Sequence, residues 1–139
     1  MQVRPGQIAL MVGGALILIS TFLTWFDFGR VTFNAYSGDL LGFTGIFLLV
    51  LSLVLLVGTG IRTFAPQVNM PDGILGFTPN EIGLFAGFAS FLWGFSFLFS
   101  DAAETTGALL CAIGGVVAVV GAVLEMRETV GPAEAPRTI

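Results

Sequence analysis

Four stretches of the chain carry no charged side chain: residues 8–26, 40–61, 82–100 and 105–124, each 19 to 22 residues long. A helix of roughly 17–25 residues crosses a hydrocarbon core of about 30 Å. Lipid offers no hydrogen bonds to a bare backbone, so an apolar run of this length must bond to itself as a helix. Every Asp, Glu and Arg lies between or beyond the four runs, and an even number of spans returns both termini to one side. The expected fold is an all-α integral membrane protein. Its four transmembrane helices form an antiparallel bundle, a single domain over residues 1–129, followed by a short disordered cytoplasmic tail, 130–139. Composition points the same way. Of 139 residues, 55% are hydrophobic and 10% charged, and a soluble chain of that make-up leaves wide apolar patches facing water.

The first run ends in Thr24-Trp25-Phe26-Asp27-Phe28 with no small-residue cleavage site nearby. It reads as a retained first helix, with Trp25 as an interfacial anchor. Arg4, Arg62, Arg127 and Arg137 fall on the side of the termini and the second connection, and only Arg30 on the other. The positive-inside bias then places both termini in the cytoplasm of a cell enclosed by this plasma membrane.

Local chemistry marks the helix starts. Thr78-Pro79-Asn80-Glu81 is a capping box with Pro at the first helical position, and Asp101-Ala102-Ala103-Glu104 is a similar box before the fourth helix. The fourth helix is expected to run to about Thr129, where Gly131-Pro132 stops it. Between the first two spans, Gly29-Arg30 offers a type II′ turn flanked by Asp27-Phe28 and Val31-Thr32-Phe33, a small extracytoplasmic β-hairpin. The second connection carries Pro66, Pro71-Asp72-Gly73 and Pro79 around an interfacial apolar piece, Ile74-Leu75-Gly76-Phe77. A faint echo between Ser20–Trp25 and Ser90–Trp93 suggests two related hairpins, although Phe and Leu are frequent enough here to produce it by chance.

The chain has no His, no Lys, one Cys and a net charge of −4. That set removes the usual ligands of zinc, haem and iron–sulfur groups, and a single thiol forms no redox pair. The absence of a basic cluster argues against nucleic acid. No nucleophile–base pair, phosphate loop or cofactor motif assembles from the residues present, so the expectation is a non-enzyme without cofactor or metal. Small multidrug transporters share the length and span count but use a carboxylate in the first span, which is absent from residues 8–26. Dual-topology fluoride channels and disulfide-forming membrane oxidoreductases have signatures that are also missing. The first connection is similar to that of claudins in outline only, lacking their Trp and paired cysteines.

Two groups of residues are candidates for packing against partners or lipid. The third run alternates Phe91, Trp93, Phe95, Phe97 and Phe99. Alternation on a helix spreads rings around the circumference, which suits an aromatic belt or a docking surface. The fourth run carries small-residue stripes, Gly107/Cys111/Gly115 and Gly114/Ala118/Ala122, which let helices approach closely within the chain or between chains. Asp27, Asp39, Asp101 and Glu104 are read as solvated ends at the outer boundary, with Arg30 pairing Asp27 or Asp39. Glu81 and Glu125 are read likewise at the inner boundary. The function these features favour is a structural or accessory subunit, partnered by membrane lipids and by other subunits or itself. The runner-up is a small homo-oligomeric channel or transporter lined by Ser20, Thr21, Thr24, Ser90 and Ser96. A third reading is a lipid- or pigment-binding subunit.

Overall fold

The structure, a computed structural model, describes residues 3–23, 26–27, 32–33, 38–65, 67–68, 76–99 and 106–130. Four helices dominate it: α1 (Pro5–Ser20), α2 (Gly38–Phe64), α3 (Pro79–Phe97) and α4 (Thr106–Val130). Between α1 and α2, strands β1 (Phe26–Asp27) and β2 (Thr32–Phe33) form a two-residue antiparallel ladder, Phe26 opposite Phe33 and Asp27 opposite Thr32. The Gly29-Arg30 turn, the Asp101–Glu104 box, Trp25 and the tail after Val130 lie outside the described residues.

Helix boundaries follow local chemistry. At α3, the Thr78 N–H donates to Glu81 Oε2 at 2.8 Å while the Glu81 N–H donates to Thr78 Oγ1 at 3.3 Å, with Pro79 at the first helical position. The positive φ of Gly76, 85°, lets the chain turn into this cap where a side chain would be strained. α1 starts earlier than the uncharged run, at Pro5, with the Arg4 N–H donating to Gln7 Oε1 at 3.2 Å. It also ends earlier. Ser20 and Thr21 turn their hydroxyls back onto the carbonyls of Ile17 and Leu18. The N–H groups of Thr21, Phe22 and Leu23 then bond three residues back, which tightens the chain out of α geometry.

Among the described residues, two helices are long and apolar enough to cross a membrane: α2 over Phe43–Phe64 and α4 over Thr106–Glu128. α1, at 16 residues, spans about 24 Å, and the first turn of α3 carries Asn80 and Glu81.

Contacts fix the arrangement. Where a Cβ would stand on Gly6, Gly13 and Gly87, the nearest atoms belong to residues 121–125, 114–118 and 115–119 respectively. α4 therefore runs antiparallel to both α1 and α3, close-packed against each. α2 lies across from α4 and rests on α1, with a lighter seam against α3. The core is asymmetric in the size of its side chains. α3 and α4 contribute Ala86, Ala108, Cys111, Ala118 and Ala122, whereas α2 contributes Leu48, Leu51 and Leu55.

Candidate functional site

Four helices meet in a polar, largely charged cluster at one end of the bundle. Glu125 of α4 is fully buried, and its Oε2 lies 2.9 Å from Arg4 Nη2 and 3.8 Å from Arg62 Nη2. Arg4 Nε also approaches Glu128 Oε2 at 3.7 Å, and Arg62 Nη1 donates to Asn80 Oδ1 at 3.2 Å. The cluster joins the residue before α1 to the last turn of α2, the first turn of α3 and the last turns of α4. Burying a carboxylate costs several kcal/mol unless opposite charge and hydrogen bonds offset it; here two guanidiniums converge on one oxygen. The expectation that Glu125 is a solvated span end is corrected by this geometry. The cause is the α1-facing stripe of α4, which runs Gly114, Ala118, Gly121 and then Glu125 at helical spacing. The backbone of α1 comes close enough at Gly6 to cover the carboxylate stem.

The small residues of α4 are taken up inside the chain. A Cβ on Gly115 would collide with the Phe91 amide and the Gly87 carbonyl of α3, and one on Gly114 would stand 3.0 Å from the Gly13 carbonyl of α1. Ala118 touches both neighbours, near Gly13 and near Gly87, while Ala122 faces Gly83 of α3. A spacing of four on a 3.6-residue helix drifts about 40° per step. Gly114/Ala118/Ala122 thus rotates from one neighbour to the other rather than forming one face. Cys111 is buried against α3, its thiol within 3.3 Å of the Ser90 carbonyl, and Gly107 is buried too.

The aromatic run of α3 divides in two. Trp93 turns inward, its indole N–H donating to Thr44 Oγ1 at 3.1 Å and its ring 5.0 Å from that of Phe47. Phe97 also packs against the core. Phe91, Phe95 and Phe99 form a ladder along the helix, Phe91 stacked on Phe95 at 5.3 Å and Phe95 edge-on to Phe99 at 5.0 Å, and Phe99 is 75% exposed. Beyond them, Phe77, Glu81, Phe85 and Phe88 border a groove of about 710 Å³ at the start of α3.

Of the hydroxyl residues of the runner-up reading, Ser20 and Ser90 flank Cys111 inside the bundle. Ser20, Thr21 and Ser90 are buried and donate to carbonyls of their own helices, whereas Ser96 faces outward and Thr24 lies outside the described residues. A different hydroxyl set was missed: Thr44, Ser52, Thr59 and Thr63 share the buried face of α2. Their spacing of eight, seven and four residues is the signal that places them together. The outer acids and Arg30 have side chains outside the described set. Among the described residues no three His, Cys, Asp or Glu side chains come together as a metal would require. No family model, curated protein or solved structure matches the chain.

Proposed function

We propose that the chain is a multi-pass membrane protein with all four helices in the bilayer, both termini cytoplasmic and the β1–β2 hairpin on the outer face. Its role in this reading is that of a non-catalytic structural or accessory subunit. One observation carries the membrane placement: the distribution of side-chain size is inverted. Large apolar residues point outward on every helix, including Ile8 and Ile19 on α1, Ile46 and Val50 on α2, Phe85 and Phe88 on α3, and Ile113 and Val120 on α4. Alanine, glycine, serine and threonine occupy much of the inside. Water tolerates contiguous apolar patches of only a few hundred Å², whereas lipid solvates such a surface on all sides. The charged cluster then lies at the headgroup level, where Arg side chains reach toward water.

The subunit role rests on the same inventory. The interior is filled by the chain's own contacts, and what remains for other molecules is the outward apolar surface with its aromatic ladder on α3. Native mass spectrometry of the complex extracted in mild detergent tests this. The reading expects co-purification with different chains in fixed ratio. Recovery as a homo-oligomer that passes solute in liposomes would replace it with the channel or transporter reading, which the hydroxyl face of α2 favours.

A further inference from the structure

The four helices are not held together in the same way. α1, α4 and α3 touch backbone to backbone through glycine: Gly13 stands against Ala118, Gly121 against Leu10 and Gly94 against Ala108 and Ala112, all with room for no more than a hydrogen. α2 meets Gly14 of α1 through Leu55, Leu56 and the Ser52 carbonyl; its Gly45 is buried, whereas its Gly58 and Gly60 face nothing within 4 Å. Its seam with α3 is the lightest between neighbouring helices. Two polar ties bridge that seam. At one end Arg62 bonds Asn80 and reaches across to Glu125; toward the other, Thr44 accepts from Trp93 beside Phe43 and Phe47. The inner face of α2 carries Ser52 and Thr59 between the ties and Thr63 just past Arg62, and Thr63 Oγ1 is buried without a hydrogen-bond partner among the described residues. Opening such a face to water costs less than opening one made of leucine alone, because each hydroxyl gains solvent bonds.

We propose that α2 is the moving element of the bundle, a lateral gate latched to α3 and α4 by Arg62 and to α3 by Thr44, whose release opens a hydroxyl-bearing seam between α2 and α3. The gate does not depend on the subunit reading, since it rests on contacts within one chain. Both partners of Arg62 lie in other helices, so this one side chain ties the end of α2 to α3 and α4.

The test uses the full-length chain in lipid nanodiscs with Cys111→Ala. Spin labels at Val57→Cys and Phe85→Cys span the α2–α3 seam, and labels at Phe85→Cys and Val120→Cys span α3–α4 as the internal reference. All three positions point outward. Arg62→Gln is expected to add a longer α2–α3 distance while the α3–α4 distance stays as it was. Thr59→Cys, probed with a water-soluble thiol reagent, is expected to label about tenfold faster or more in that background, because labelling follows the open population. Thr44→Val releases the other tie and serves where Arg62→Gln fails to fold. Unchanged α2–α3 distances in both variants would overturn the gate. So would equal broadening of the two seams, which marks general loosening rather than movement of one helix.

Discussion

α4 and α2 are the two longest helices, and both are apolar enough to cross a bilayer, yet they are built on opposite principles. α4 is a spine of small residues on which α1 and α3 lie at backbone contact. α2 carries leucines and hydroxyls inward, leaves Gly58 and Gly60 facing open space, and is fastened by polar ties near its ends. In the bilayer setting proposed above, lipid supplies no hydrophobic drive for helices to associate, so association depends on close packing and on polar bonds. The spine uses the first and α2 leans on the second. A helix held mainly by a few directed bonds can be released by losing them, whereas close backbone contact is lost only with the fold.

The largest effect is expected at the spine. Gly115→Leu drives a side chain into the Phe91 amide and the Gly87 carbonyl, neither of which can yield without moving α3. Loss of the folded, detergent-stable species in size-exclusion chromatography is expected. A variant that elutes and melts like the parent would show that α3 and α4 are not in backbone contact.

Glu125→Gln follows. It leaves Arg4 and Arg62 around a neutral group, at a cost of about 3 kcal/mol, toward the lower end for a broken buried pair because Arg4 is 38% exposed. Denaturant titration of the purified protein measures it, and a change within about 0.5 kcal/mol would remove the cluster as a tie.

How far the sequence discloses this arrangement depends on the range of the interaction. The Thr78–Glu81 cap is legible because its two hydrogen bonds connect residues three apart, and the reach of α4 to Val130 is legible from Gly131-Pro132 just beyond it. The shortened end of α1 was concealed, since Ser20 and Thr21 read as ordinary polar positions within an uncharged run until their hydroxyls are seen to compete for carbonyls. Glu125 was misplaced because its partners stand 121 and 63 residues away in the chain. Only the continuation of Gly114, Ala118 and Gly121 to position 125 hints that it faces inward. The stripes of α4 announced close packing but not against which neighbour, which is a tertiary fact.

Smaller effects sharpen the contrast on α2. Gly58→Ala meets no atom and gives the helix a better former, so thermal unfolding should show a gain of about 0.5–1 kcal/mol. The same exchange at Gly13 or Gly87 should destabilise, since a methyl there meets backbone within 3 Å. Thr44→Val removes the Trp93 bond for about 0.6 kcal/mol, a typical value for one hydrogen bond between membrane helices. Its small size is informative, because a shift in Trp fluorescence without loss of fold identifies a tie rather than a core contact.

Amide hydrogen exchange followed by mass spectrometry, on the intact chain in lipid nanodiscs, tests the division most directly. The account predicts that peptides from the middle of α2 exchange faster than those from the middle of α4, and that Arg62→Gln widens the gap by acting on α2 alone. Equal protection of α2 and α4, or a rise shared by all four helices in the variant, would contradict it.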